Sequence, residues 1–152
     1  MAMCKRTAIH RKKISAPANY LISKELLNGK VLDFGCGHGD LRFANSKFIE
    51  LWEWDKFNQP LVIKNGKELN NSALPINYFD NIYCGYVLNV LPKKERNKVL
   101  NRLKSLLSNN GTIFISVRRD ISKAGNSTQY WVELPATHIK ITNSFCIYTL
   151  TK

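Results

Sequence analysis

Short apolar runs alternate with amphipathic stretches along this chain, a pattern typical of a sheet covered by helices. The apolar runs predict four strands, at residues 30–34, 49–55, 79–86 and 112–117. The spacing of apolar residues predicts three helices, at residues 14–27, from 40 to about 48, and after Pro92. Two further strand-like runs, 138–141 and 145–150, enclose a polar turn and predict a hairpin.

The order of these elements predicts one α/β domain over residues 1–152, with a basic N-terminal arm at 1–13. The sheet is expected to be mostly parallel, with the hairpin as an antiparallel edge. Residues 56–78 carry a weak pattern, for which we expect one short helix and an irregular strand. Ligands of such sheets bind beyond the carboxyl ends of the parallel strands. Residues that follow strands are therefore the candidates for chemistry.

The helix after Pro92 has the clearest pattern in the chain. Its apolar residues fall on one face: Val99, Leu100, Leu103, Leu106 and Leu107. We interpret the basic residues on its other face as solvent-exposed: Lys93, Lys94, Arg96, Lys98, Arg102 and Lys104. The sequence 109–111, Asn-Asn-Gly, predicts where the helix ends.

Three alternating glycines, Gly35, Gly37 and Gly39, directly follow the first predicted strand. Glycine lets a backbone turn sharply and approach a ligand closely. The spacing differs from the G-x-G-x-x-G of dinucleotide folds, and Asp33 lies two residues before the first glycine. We interpret the segment as a ligand-binding loop, with a glycine turn kept for packing as the alternative.

A second acidic residue, Asp55, ends the second predicted strand. An acid at that position can accept hydrogen bonds from both hydroxyls of an adenosine ribose, as in dinucleotide folds. Glu53 is the competing candidate. Alternation favours Asp55, because Trp52 and Trp54 would share one face and the strand must end near Lys56.

The glycine loop with its acid, Asp55, and the segment 79–92 together resemble class I S-adenosylmethionine (SAM)-dependent methyltransferases. The resemblance implies a Rossmann-like sheet and SAM as cofactor, with Asp33 anchoring the loop or the amino group of the ligand. It implies these cofactor-binding residues: Asp33, Gly35, Cys36, Gly37, Asp55, Asp80 and Tyr86. Tyr86 and Asn89 would face the sulfonium or the methyl acceptor as catalytic residues; the alternative is that they only pack or cap the next helix.

Three segments sharpen this resemblance: residues 7–17, 31–40, and 85–92 followed by Glu95-Arg96. Together they resemble the methyltransferase domain of DNA phosphorothioation-associated methyltransferases and their small stand-alone relatives, over roughly residues 6–120. His38 stands where that family more often has Arg or Ser. The stretch between the second and fourth strands of the family is short here, so a strand or helix is expected to be trimmed.

Charge points to an anionic partner. Lys and Arg number 23 against 11 acidic residues, a net charge of +12. Such a field favours anionic partners, with nucleic acid first. The alternative is that the charge only keeps the protein soluble. We expect DNA or RNA to bind through the basic arm and the pair Arg118 and Arg119. The predicted acceptor-binding residues are Arg11, Lys12, Arg118, Arg119 and Tyr130.

Several function classes are excluded or left open. The four cysteines lie far apart, which rules out a zinc ribbon, predicts no metal and disfavours a disulfide framework. No apolar run reaches the roughly 18–20 residues of a membrane span, and a cytoplasmic protein is expected. The sequence contains no Asn/Asp-Pro-Pro-Tyr or similar tetrapeptide, with which methyltransferases of exocyclic amino groups hold the amine. It also contains no Pro-Cys pair for attack on a pyrimidine. These absences leave the acceptor atom unidentified. From the charge, the first hypothesis is a nucleic acid or nucleotide-like anion as acceptor, and the second is a small anionic metabolite. A SAM-binding module that is inactive without a partner is the third hypothesis.

Overall fold

A computed structural model describes residues 12–71 and 73–152 of the chain. Arg11 and most of the predicted basic arm lie outside the described residues. The described strands are β1 (Lys30–Phe34), β2 (Glu50–Asp55), β3 (Gln59–Lys64), β4 (Lys67–Glu68), β5 (Phe79–Gly85), β6 (Leu107–Arg118), β7 (Thr137–Ile141) and β8 (Phe145–Leu150). The described helices are α1 (Ala16–Ser23), α2 (Lys93–Leu106) and two 3-10 helices, η1 (Leu41–Lys47) and η2 (Leu88–Val90).

All eight described strands form one sheet, in the order β4-β3-β2-β1-β5-β6-β8-β7. The four central strands are parallel: β1 pairs with both β2 and β5, and β5 pairs with β6. The C-terminal hairpin β7–β8 adds the predicted antiparallel edge. Because the central strands are parallel, their carboxyl ends meet at one edge, and the glycine loop, Asp55 and the segment after β5 come together there.

The opposite edge of the sheet differs from the expectation. Residues 56–78 form the antiparallel hairpin β3–β4, and no helix lies among the described residues of this segment. Lys64 pairs with Lys67 across Asn65 and Gly66, whose φ angles are 51° and 82°. Two residues with positive φ are what a tight hairpin turn requires, and Asn-Gly is its strongest sequence signal. The predicted trimming is thus the loss of a crossover helix and of a parallel strand.

Helix boundaries also depart from the prediction in places. The helix expected from residue 40 to about 48 is the 3-10 helix η1, interrupted at Ala44 (φ −120°). Ser15 caps α1, its side chain accepting a hydrogen bond from the Ala18 amide at 3.4 Å. Strand β6 begins directly after α2, five residues before the expected position, because Leu107 already pairs with Phe79.

Apolar side chains cover both faces of the sheet. Leu103 and Leu106 of α2 pack on one face against β1 and β2, through residues such as Phe34 and Trp52. Leu21 of α1 packs on the other face with the second hydrophobic cluster. The predicted apolar face is therefore confirmed for Val99, Leu100, Leu103 and Leu106, whereas Leu107 belongs to β6 and not to the helix. Towards β1 and β2, the Arg102 guanidinium of α2 lies over the rings of Phe34 and Trp54.

Candidate cofactor site

A cavity of about 590 Å³ opens at the carboxyl edge of the parallel strands. Its walls are the glycine loop, the end of β2 with residues 56 and 57, the segment 85–91, one side of α2, and residues from the loop after β6. Binding sites for small molecules and cofactors fall in this range of volume. The cavity therefore lies where the order of elements predicted a ligand.

The glycine loop is held against β2 by backbone hydrogen bonds. The amides of Gly35 and Cys36 donate to the carbonyl of Trp54, at 2.8 and 3.2 Å. Gly35 and Gly37 have φ angles of +71° and +59°. A Cβ on Gly35 would lie 2.3 Å from Cγ2 of Val87. The loop thus needs glycine here both for its conformation and for its close approach to the segment after β5.

Asp55 couples the glycine loop to the end of β2. Its Oδ2 accepts a hydrogen bond from the Gly37 amide at 2.8 Å. Its Oδ1 accepts from the amides of Phe57 and Asn58 and from the Asn58 side chain, at 3.0, 3.1 and 3.1 Å. Glu53 lies further from the strand end and pairs instead with Arg42 at 3.0 Å. Asp55, rather than Glu53, lines the cavity.

Asp33 lies buried beneath the loop, and its Oδ2 accepts from the Leu41 amide at 3.3 Å. This hydrogen bond ties the end of β1 to the start of η1, so Asp33 anchors the loop. Burial raises the pKa of Asp33 well above its usual range, and the nearby charges of Asp40 and Glu53 raise it further. A cationic ligand group in the cavity would favour the ionised form of this carboxyl.

The charges that line the cavity are divided by depth. The acids next to the loop, Asp33, Asp40 and Asp55, are all buried. The bases Lys56, Lys98, Arg102 and Arg118 are exposed or half-buried. This arrangement favours a ligand that buries a positive group and leaves its anionic end near the rim. Cys36 is also buried here, and burial raises the pKa of its thiol, so the thiol stays protonated at neutral pH.

Tyr86 and Asn89, from the segment after β5, both line the cavity. Tyr86 has a φ of +58°, and its amide donates to the Ser116 carbonyl at 3.0 Å. Asn89 is 1% exposed and donates from Nδ2 to Oε1 of Gln129. Its Oδ1 is the buried side-chain polar atom for which the described residues provide no hydrogen-bond partner. Gln129 itself was not predicted, since it lies in a polar loop without a recognisable pattern.

The side of α2 interpreted as solvent-exposed also contributes to the site. Lys98, Val99 and Arg102 line the cavity, and the Arg102 guanidinium lies 4.5 Å from the ring centre of Trp54. Lys98 is exposed as interpreted, although it borders the cavity, whereas the interpretation was wrong for Arg102, which is half-buried. The reason is tertiary: the packing of α2 on the sheet places the Arg102 guanidinium over the rings of Phe34 and Trp54, at the ends of β1 and β2.

One predicted cofactor-binding residue, Asp80, lies at the other edge of the sheet, and its predicted place in the site is wrong. Its Oδ2 accepts from the Lys30 amide at 2.8 Å, at the start of β1. Gly85 lies five positions further along β5, a distance of about 16 Å along the strand. Asp80 therefore joins the amino ends of β1 and β5.

The predicted acceptor-binding residues are only partly brought together. Arg118 lines the cavity. The Arg119 guanidinium instead donates to the Tyr148 hydroxyl at 2.9 Å and lies 4.5 Å from the ring centre of Trp131. Tyr130 is exposed outside the cavity lining, with its ring 5.8 Å from the guanidinium of Arg96. Lys12 is exposed and also outside the lining.

The residues present fit SAM. The glycine cradle would hold the methionine part, the carboxylate of Asp55 suits the ribose hydroxyls, and the buried acids complement a sulfonium and an amino group. Among the described residues, no group of three or more His, Cys, Asp or Glu side chains is placed to hold a metal ion. No helix of the described chain has the length and apolar character needed to cross a membrane. The fold and the cavity together define a class I methyltransferase.

Comparisons with known proteins agree with this class. The sequence matches the methyltransferase domain family over residues 7–150, so the chain belongs to that family. A complex of DhpI with SAH shares 12% identity over 88% of this chain and 86% of that one, with a TM-score of 0.58. A DhpI-SAM-HEP complex shares 14% identity over 89% and 71% (TM-score 0.51). A SAM-dependent methyltransferase from Clostridium acetobutylicum ATCC 824 shares 17% identity over 95% and 68% (TM-score 0.50). None of the curated proteins compared with the chain matches it. The chain is a SAM-dependent methyltransferase, and its cofactor is SAM.

Proposed function

We propose that this methyltransferase transfers the methyl group of SAM to a small anionic molecule that enters the cavity beside Arg118. The observation that carries the proposal is the placement of the basic residues. Of the acceptor-binding candidates among the described residues, Arg118 is the one that lines the cavity. The binding of the acceptor would thus occur within the same enclosed space as the binding of the cofactor.

The Arg118 guanidinium is suited to an anion. It donates from Nε and Nη2 to the two carboxylate oxygens of Asp120, each at 2.7 Å. These hydrogen bonds raise the pKa of Arg118, to which the nearby Tyr86 also contributes. A carboxylate or phosphate has the geometry that Asp120 already presents to this guanidinium. We expect the anionic group of the acceptor to replace Asp120 or to share the guanidinium with it.

Methyl transfer requires little from the protein beyond the positioning of the two reactants. SAM supplies an electrophilic methyl carbon on a cationic sulfur. The glycine loop and Asp55 would fix the cofactor, and Tyr86, Asn89 and Arg118 would orient the acceptor toward the methyl carbon. Holding two reactants in line accounts for a large part of such a rate enhancement. The absence of a recognisable general base from the sequence is therefore compatible with activity.

The test is transfer of a labelled methyl group from SAM to the small-molecule and nucleic-acid fractions of a cell extract. We expect label in anionic small molecules. Arg118→Ala should lower that transfer at least about 10-fold, because a charge-assisted hydrogen-bonding pair is lost, while SAH affinity is kept. Arg119→Ala is the matched control and should transfer at the normal rate. Label confined to nucleic acid, or equal effects of both variants, would reject the small-molecule acceptor.

Nucleic acid is the second candidate, and the charge distribution favours it. The cavity lining holds four basic and five acidic residues, whereas the whole chain has 23 and 11. The positive excess therefore lies outside the cavity, where it would attract a polyanion at long range. Binding to duplex DNA or RNA that weakens steeply with added salt, together with label in that fraction, would support this acceptor.

The finer resemblance to DNA phosphorothioation-associated methyltransferases stays a prediction. It depends on residues 7–17, 31–40 and 85–92. Transfer to DNA that depends on phosphorothioate linkages, compared with unmodified DNA of the same sequence, would support it.

A further inference from the structure

The buried pair Asn89 and Gln129 has no role in holding the cofactor described above. Asn89 lies in η2 and is 1% exposed, and Gln129, in the loop after β6, is 9% exposed. Both line the cavity. The two side chains are joined by a hydrogen bond from Nδ2 of Asn89 to Oε1 of Gln129. The two segments are joined a second time by a 2.6 Å hydrogen bond from the Tyr130 amide to the Asn89 carbonyl. The amide of Asn89 is therefore fixed in orientation.

The other end of that amide has no protein partner. Oδ1 of Asn89 is buried and accepts no hydrogen bond from the described residues. Leaving a buried acceptor unpaired costs about 1–3 kcal/mol, so such an atom calls for an explanation. Because Asn89 lines the cavity, a ligand bound there is the candidate source of the missing donor.

The position of Asn89 relative to the glycine loop indicates which part of the bound ligands lies near this oxygen. Val87 and Gly35 approach so closely that a Cβ on Gly35 would lie 2.3 Å from the Val87 side chain. The segment that carries Asn89 thus faces the part of the loop where the methionine end of the cofactor would lie. Asn89 and Arg118 both line this cavity, in which the acceptor is proposed to bind.

We propose that Gln129 is a positioning residue that turns Oδ1 of Asn89 toward the point of methyl transfer, and that the methyl acceptor is a hydroxyl or amine whose proton that oxygen accepts in a hydrogen bond. This inference rests on the proposed function and adds to it the chemistry of the reacting atom. In the step, the lone pair of the acceptor oxygen or nitrogen forms the new bond to the methyl carbon. The carbon–sulfur bond breaks with its electron pair going to sulfur, and the proton of the acceptor passes to water. Asn89 orients the acceptor and takes no proton.

The experiment uses two cofactor analogues on the full chain. SAH lacks a group at the methyl position, whereas sinefungin carries an amine there, which is protonated and is a hydrogen-bond donor. Calorimetric titration should show that the wild-type protein binds sinefungin at least about 10-fold more tightly than SAH, since a hydrogen bond to a charged group is strong. If the two amides were reversed together, N–H groups would face this amine, and sinefungin would bind more weakly than SAH.

Variants assign the preference to the two residues. Asn89→Leu should reduce the preference for sinefungin to within about threefold and leave SAH binding in place. Gln129→Leu should do the same, because Asn89 would then be free to rotate. Gln129→Glu should retain the preference, since a carboxylate can only accept from Nδ2 of Asn89 and so keeps Oδ1 toward the cavity. Thermal unfolding of each variant checks that it is folded.

The outcomes separate the two proposals. SAH binding without a preference for sinefungin, or a preference that survives Asn89→Leu, overturns this inference and leaves the proposed function standing. A preference that is lost equally in Gln129→Leu and Gln129→Glu removes Gln129 from the positioning role. Failure of the wild-type chain to bind SAH overturns both.

Discussion

Asp55 is the residue whose removal should damage the cofactor site most. In the structure it accepts four hydrogen bonds, from Gly37, Phe57 and twice from Asn58, and it is 9% exposed. We therefore expect Asp55→Ala to affect binding and folding together. The two effects have different origins, and each has its own magnitude.

The loss of binding follows from the ribose. A carboxylate can accept from both ribose hydroxyls, and a hydrogen bond to a charged group contributes about 1.5–3 kcal/mol. Loss of both predicts a decrease in SAH affinity of roughly 100- to 10,000-fold. The loss of stability follows from the four internal hydrogen bonds. Because the turn amides can reach water once the carboxylate is gone, we expect a decrease of about 3–5 kcal/mol in the free energy of unfolding.

Two further variants make the measurement interpretable. In Asp55→Asn, the side-chain oxygen can still accept from the amides of Phe57 and Asn58, but the side-chain N–H groups face the Gly37 amide. We therefore expect this variant to lose SAH affinity, with a smaller loss of stability than Asp55→Ala. Asp80→Ala is the matched control, because Asp80 lies at the other edge of the sheet, where it accepts a hydrogen bond from the Lys30 amide. It should cost about 1 kcal/mol or less and leave SAH binding unchanged.

The assay is calorimetric titration of SAH into each folded variant, with urea unfolding measured in parallel. A folded Asp55→Ala protein whose SAH affinity is within threefold of the wild-type value would refute the assignment of Asp55. An Asp80→Ala protein that loses affinity as strongly as Asp55→Ala would refute the placement of the cofactor at the carboxyl edge.

Three other variants test the structure around the site. Burial and the charge of Asp40 raise the pKa of Asp33, so the native state binds this proton more tightly than the unfolded state. The free energy of unfolding should fall as pH rises from about 4 through the raised pKa. Asp33→Asn should not show that fall in urea titrations at a series of pH values. A pH profile the same as that of the wild-type protein would contradict the assignment of the fall to Asp33. Gly35→Ala, at φ +71° and in contact with Val87, should cost about 1–3 kcal/mol. Adding Val87→Ala should recover part of this in a double-mutant cycle, and strict additivity would count against the contact. Leu103→Ala, fully buried in α2, should lower the free energy of unfolding by about 2–5 kcal/mol; a change below 1 kcal/mol, on the order of a surface substitution, would show that α2 is not packed as described.

Local sequence signals predicted the parts of the site that lie next to strand ends. The glycine loop and Asp55 follow β1 and β2 directly, and parallel strands bring their carboxyl ends to one edge whatever else the chain does. The apolar face of α2 was predictable for a similar reason, since helical spacing alone defines it. The hairpin β3–β4 was predictable too: Asn65-Gly66 carried its turn signal, which the weak hydrophobic pattern of the segment obscured.

Asp80 shows where the resemblance to a family led the prediction astray. The residue precedes most of β5 rather than following it, so the strand itself carries it away from the cavity. The rise of about 3.3 Å per residue along a strand would have placed it correctly from the sequence. The predicted strand already placed Asp80 at its amino end, so the residue did not belong in the predicted site.

The remaining features were decided by tertiary structure. Arg118 and Arg119 are neighbours of like charge, yet the first lines the cavity and the second contacts Tyr148, because successive side chains at a strand end point to opposite sides. Arg102 reaches the cavity because α2 packs so that this guanidinium lies over the rings of Phe34 and Trp54. Gln129 meets Asn89 across forty residues of chain.

By itself, the sequence determined the elements whose chemistry is local: the loop, the acid at the strand end and the amphipathic helix. Contacts between distant segments depend on which elements pack together and on which face, and those were decided only when the whole sheet formed.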